Sequence, residues 1–142
     1  MTIYIIRYKH LKECIKLNSM ITEDYISFDT AKLLTQKCFE VKYDGYYNEA
    51  GSLVDMPNSI LLREGYQYYG RSTVASVIKW LREKCGCIIS IEYQPIATTF
   101  KWRIYKYDQN TDDLKKHINF QHYESYKECA EDAIKYCLEG LI

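Results

Sequence analysis

Residues Thr73-Val-Ala-Ser-Val-Ile-Lys-Trp-Leu-Arg-Glu-Lys-Cys-Gly-Cys-Ile-Ile-Ser-Ile-Glu-Tyr-Gln-Pro-Ile-Ala-Thr-Thr-Phe-Lys-Trp102, continued by Arg103-Ile-Tyr105, read as a helix, a glycine stop and a β-hairpin. Val74, Val77, Ile78, Leu81 and Cys85 recur three and four apart, so they share one helical stripe, with Lys79, Arg82, Glu83 and Lys84 off it. Ser72 or Thr73 can cap the first turn, and Gly86 stands where a left-handed C-terminal cap belongs. Residues 88–93 and 100–105 then alternate in polarity, and a turn around Pro95 to Thr98 folds one onto the other. A single register serves both strands. It pairs Ile89 with Ile104, Ile91 with Trp102 and Tyr93 with Phe100 on one face, and Ser90 with Arg103 and Glu92 with Lys101 on the other.

The same reasoning extends outward. Ser27 is placed to cap a helix from Phe28 to about Cys38, with Phe28, Ala31, Leu34 and Cys38 near one face. Residues 40–47 and 52–56 read as a first hairpin around Asn48-Glu-Ala-Gly51, glycine taking the left-handed turn position. Residues 57–71 carry an apolar triplet and a tyrosine cluster and read as a loop with at most one short strand. Residues 108–122 are polar and read as a long loop. The chain closes with a helix whose stripe is Tyr126, Cys129, Ala130, Ala133, Ile134, Cys137, Leu138 and Leu141, while Glu124, Glu128, Glu131 and Asp132 gather toward its positive end. The expected fold is α+β: two antiparallel β-hairpins with helices packed on one face of the sheet, in the order α-ββ-α-ββ-α. Residues 1–19 are basic and fit a helix and a strand equally; 1–22 read as an N-terminal extension peripheral to the fold, leaving 23–142 as one domain.

Composition sets the outer limits. A chain of 142 residues buries roughly two thirds of its unfolded surface and needs no covalent staples. Lys+Arg and Asp+Glu both number 19, so no global field draws in nucleic acid or an anionic membrane. Ile5 and Ile6 are followed at once by Arg7, Lys9 and His10, which does not resemble a signal peptide, and a cytoplasmic location is the simplest expectation. The six cysteines occupy mainly apolar positions (Cys14, Cys38, Cys85, Cys129, Cys137) and read as reduced, buried small side chains. The 15 tyrosines combine apolar area with a polar tip, and about three in four should pack with the hydroxyl at the edge of the core.

Three stretches bear on chemistry. Gly65-Tyr-Gln-Tyr-Tyr-Gly70-Arg71-Ser72 has the spacing of a phosphate-binding loop before a helix. Arginine replaces the lysine, however, tyrosines crowd the loop, and the flanking hairpins do not make a parallel-sheet nucleotide fold. Cys85-Gly86-Cys87 has no second ligand pair, and His10, His117 and His122 are scattered, so no metal, cofactor or catalytic constellation is expected. The outward face of the second hairpin gathers Lys101, Arg103 and Tyr105, with Lys106 and Tyr107 beside them, a pattern able to stack bases and hold phosphates. A solvated face with cross-strand ion pairs is the commoner reason for such a pattern. The candidate binding residues are therefore Tyr66, Tyr68, Tyr69 and Arg71 in the loop and Lys101, Arg103 and Tyr105 on the sheet. The expected partner is a protein, with nucleic acid second and no membrane.

Ile26-Ser-Phe-Asp-Thr-Ala-Lys-Leu-Leu, Tyr46-Tyr-Asn-Glu-Ala-Gly, Lys79-Trp-Leu-Arg-Glu-Lys and Tyr123-Glu-Ser-Tyr-Lys-Glu-Cys-Ala-Glu-Asp-Ala together resemble a family of small uncharacterised proteins encoded by gut bacteria and their phages. The resemblance runs from about Ile26 to Ile142. Where that family tends to have Gly-Phe after the first helix, this chain has Cys38-Phe39. The resemblance implies no activity, cofactor or catalytic residue; it implies a mobile-element setting, in which small proteins often act by binding a host or phage macromolecule.

Overall fold

The computed structural model describes residues 24–39, 43–54 and 67–142. The readings of residues 1–22, Tyr66, Gly65 and the outer parts of the first hairpin lie outside these residues. Within them the order is α1 (Phe28–Gln36), β1 (Tyr46–Tyr47), β2 (Leu53–Val54), β3 (Tyr69–Gly70), α2 (Val74–Cys85), β4 (Cys87–Gln94), β5 (Thr99–Asp108), β6 (Asp113–Ile118) and α3 (Tyr126–Gly140). The strands form two three-stranded antiparallel sheets, ordered β2-β1-β3 and β4-β5-β6. The fold is α+β as expected, but each hairpin gains a third strand.

In the first sheet the addition is β3, drawn from the tyrosine-rich loop and paired with β1 so that Tyr46 faces Gly70. Gly70 is buried, and the Tyr43 ring lies where its side chain would be, 2.0 Å from an ideal Cβ. In the second sheet the addition is β6, which corrects the reading of residues 108–122 as a loop. Asp108 Oδ1 accepts the Asn110 N–H at 2.9 Å and starts a tight turn that lays Asp113–Ile118 along β5. No polarity alternation announces this strand, because five of its six residues are exposed.

The central stretch folds as its pattern dictates. Thr73 is the N-cap of α2, its Oγ1 accepting the Ser76 N–H at 3.2 Å, and Gly86 closes the helix at φ 67°. Val74, Val77 and Leu81 turn inward. β4 and β5 pair in the expected register, including Ile89 with Ile104 and Ile91 with Trp102. α3 buries Cys129, Ala130, Ala133, Ile134, Cys137 and Leu138 completely. The small side chains among them let the helix lie close to β4 and β5 while Ile134 and Leu138 fill the space between, each worth about 1.5–3 kcal/mol of burial. Tyr126, on the expected stripe, is only half-buried at the first turn and meets the Phe100 ring edge-on. The helix starts are tied across the layer: the Ser27 N–H donates to Glu131 Oε1, and Ile26 N–H donates to the Ser72 carbonyl.

α1 ends in an unusual way. Phe39 N–H donates to the Leu34 carbonyl at 3.1 Å and Cys38 N–H to the Thr35 carbonyl at 3.3 Å, the hydrogen-bond pair of a Schellman cap. The position that glycine normally fills is Cys38, at φ 54°. The left-handed turn also rotates Cys38 off the apolar stripe and leaves it exposed, which corrects its assignment to the buried cysteines. A side chain here costs about 1–2 kcal/mol, and glycine would give back part of that in unfolded-chain entropy. Cys38→Gly is expected to raise stability by about 0.5–1 kcal/mol in chemical denaturation; a loss of stability would mean that the thiol makes a favourable contact.

Candidate interaction surface

α2 and α3 cover one face of the second sheet; the other face carries no element among the described residues. Strand alternation places Ile88, Ser90 and Glu92 of β4, Lys101, Arg103, Tyr105 and Tyr107 of β5, and Leu114, Lys116 and Ile118 of β6 on that open face. Register sets their neighbours. Tyr105 lies between Ile88 and Lys116, Arg103 between Ser90 and Ile118, and Tyr107 beside Leu114. Leu114 is 50% exposed, Ile118 44%, and Ile88 and Tyr107 43% each. Four large apolar side chains thus stand half in water around Tyr105. Scattered apolar residues are ordinary on a surface, but neighbours on one open face form a patch.

The charges on this face are three cations, Lys101, Arg103 and Lys116, against the carboxylate of Glu92 and, at the edge, that of Asp112, which accepts from the Tyr107 hydroxyl. Glu92 faces Lys101 in register, yet its Oε1 ion-pairs diagonally with Arg103 Nε at 3.2 Å. Both partners are about a third or more exposed, so the pair contributes about 0–1 kcal/mol. Glu92→Gln is therefore expected to change stability by less than about 1 kcal/mol while releasing Arg103. A larger loss in denaturant titration would show that the pair holds the hairpin.

Lys106 does not join this face. It points inward, where its Nζ donates to the Cys85 carbonyl at the C-terminus of α2, a position that favours a cation.

The loop candidates divide. Tyr69 packs edge-on against Phe28, ring centroids 5.5 Å apart, and forms part of the core's rim. Arg71 stacks over the Tyr25 ring at 3.9 Å, and its Nε donates to the Asp44 carbonyl at 2.7 Å. Tyr68 is half-buried at a groove of about 330 Å³ shared with Asn48, Glu49 and Val54. Lys101, Arg103 and Tyr105 are together on the sheet, as their alternation implies, and well separated in the chain from the loop group. Among the described residues the phosphate-loop spacing has no matching geometry: Gly70 is a strand residue, Val74 N–H donates to the Asp24 carbonyl, and Ser76 N–H is engaged by Thr73. Two of the first-turn amides that an anion would need, those of Val74 and Ser76, already have acceptors.

A second polar centre was not legible in the sequence. Asp132, one of several acidic residues near a helix start, faces β5. Its Oδ2 accepts from Trp102 Nε1 at 2.9 Å, from Asn119 Nδ2 at 3.4 Å and from the Tyr123 hydroxyl. Burial, reinforced by the hydrogen bond to Asp132, pushes the Tyr123 hydroxyl up to about 12. The network lies beside a groove of about 340 Å³ between α3 and β6, where Tyr136 leans on Trp102 and His117. Its geometry ties α3 to the sheet.

The thiols form a third cluster. Cys87 and Cys137 are fully buried and neighbour each other between β4 and α3, with Lys106 close by, and the Cys87 thiol donates to the Cys85 carbonyl at 3.9 Å. The neighbouring Cys137 thiol and the Lys106 charge hold Cys87 below the usual thiol range, while the contact with Cys87 and burial push Cys137 up. Among the described residues no set of three His, Cys, Asp or Glu side chains is arranged to hold a metal ion, and no helix is long and apolar enough to cross a membrane.

Comparison of the chain with protein-family models, with curated proteins and with solved structures found no match.

Proposed function

We propose that this is a small non-enzymatic binding protein, of phage or prophage type, that engages a protein partner through the open face of its second sheet. The observation that carries the reading is the patch of Ile88, Tyr107, Leu114 and Ile118 around Tyr105 on a face that no described element covers. Half-exposed aliphatic side chains gain from being removed from water at about 25 cal/mol per Å², and a protein surface supplies the matching apolar groups. A second reading, single-stranded nucleic acid on the same face, draws on Lys101, Arg103, Lys116 and the two tyrosines. Aliphatic neighbours offer bases no stacking platform, and the Glu92 pair reduces the charge that phosphates would meet, which favours the protein.

The test is parallel capture from extract of the native host with the tagged wild type and with Leu114→Asp/Ile118→Asp, two substitutions at exposed positions. A stoichiometric protein held by the wild type and absent from the variant is the expected result. The same protein on both would move the site away from this face. Nucleic acid that elutes between roughly 50 and 200 mM salt would favour the second reading.

A further inference from the structure

Resting on that reading, the chemistry of the face also specifies what kind of protein surface it fits. The apolar cluster spans three side-chain rows along the strands, roughly 14 Å at ~3.4 Å per residue, and three strands across, roughly 10 Å at ~4.8 Å spacing. That is the footprint of about two to three turns of helix, at ~5.4 Å per turn. Arg103 and Lys116 stand within the cluster and Lys101 at its margin, against two carboxylates: Glu92, paired with Arg103, and Asp112, which accepts from the Tyr107 hydroxyl at the far edge. A second copy docking face to face would set these cations against themselves, so the charge selects a different occupant.

We propose that the open face docks an acidic amphipathic helix of a partner protein, its apolar stripe on Ile88, Tyr105, Leu114 and Ile118 and its carboxylates on Arg103 and Lys116. The helix-on-sheet arrangement repeats on the outer face what α2 and α3 do on the inner one. Apolar contact supplies most of the affinity; the cations set the orientation of the helix and exclude basic or neutral competitors.

Selection from a displayed library of random peptides about 20 residues long, with the full-length protein immobilised, tests this while the natural partner is still unidentified. Enriched peptides are expected to combine apolar residues three and four apart with an excess of Asp and Glu. Synthesised singly, they should bind at least about tenfold more weakly to Arg103→Glu/Lys116→Glu and to Leu114→Asp/Ile118→Asp, each variant first checked for an unchanged circular dichroism spectrum and melting temperature. Enriched peptides that lose affinity only for the Leu114→Asp/Ile118→Asp variant, and carry no acidic excess, would overturn the acidic partner and leave the binding face standing. Peptides that bind all three proteins equally, or no enrichment at all, would overturn both. A concentration-dependent dimer in sedimentation, abolished by Leu114→Asp/Ile118→Asp, would name a second copy as the occupant and overturn the acidic helix.

Discussion

Replacing Gly70 by alanine is expected to lower the stability of this protein by about 3 kcal/mol, the upper part of the range for overpacking a filled site. The added methyl would lie 2.0 and 2.1 Å from two carbons of the Tyr43 ring, far inside van der Waals contact. Tyr43 cannot simply swing away. Its hydroxyl donates to the Phe39 carbonyl at 2.9 Å, and its ring rests against Tyr46 at 5.6 Å and Phe39 at 6.5 Å. Moving it disturbs β1 and the end of α1 together. The clash can be isolated with a double-mutant cycle: in a Tyr43→Ala background Gly70→Ala should cost less than about 1 kcal/mol. Equal costs in the two backgrounds, measured by denaturant titration, would show that Tyr43 does not occupy that space. The experiment also separates two meanings of one glycine, since substituting a phosphate-loop glycine would impair anion binding while leaving stability nearly untouched.

The second large effect concerns Asp132. Asp132→Ala is expected to cost about 2–3 kcal/mol, because Trp102 Nε1 and the Tyr123 hydroxyl, on side chains only 3% and 8% exposed, both lose their acceptor. Asp132→Asn, which keeps one acceptor oxygen, should cost about half as much. A pH signature accompanies it. The folded Tyr123 hydroxyl titrates at about 12 against 10.0 for an ordinary tyrosine. A group whose folded pKa is raised contributes stability that is complete below the unfolded value and is lost as pH climbs through the folded one. Stability should therefore fall between about pH 10 and pH 12, and Tyr123→Phe should make that fall shallower. An unchanged alkaline limb in the phenylalanine variant would mean that Tyr123 is not the group held protonated.

These two residues also mark where the sequence was legible and where it was not. The β4–β5 register could be read because each strand alternates cleanly, so only one alignment buries Ile89, Ile91, Trp102 and Ile104 together. α3 could be read because six inward positions fall on one stripe. β6 offered no such pattern: it runs past the edge of the helical layer, only His117 of its six residues is partly covered, and the strand is announced by the Asp108 turn alone. Half of the candidate surface was therefore visible as Lys101, Arg103 and Tyr105, while Leu114, Lys116 and Ile118 were hidden in an apparent loop. Tyr69 and Arg71 show the converse. A tyrosine serves a rim or a binding surface equally well, and a two-residue strand such as β3 is too short to carry periodicity. Only tertiary contact with Phe28, Tyr25 and Asp44 decides their role. Asp132 belongs to the same class, since helical spacing groups it with acidic neighbours but cannot tell which carboxylate meets an indole.

The most direct test of the open sheet face as the binding surface is a lysine footprint, comparing acetylation rates in the free protein and in the complex with its captured partner by mass spectrometry. Lys101 and Lys116 should be acetylated several-fold more slowly in the complex, while Lys79 on α2 and Lys127 on α3 keep their free rates. Unchanged rates at Lys101 and Lys116, or protection confined to Lys79 and Lys127, would contradict the account and place the partner on the helical side.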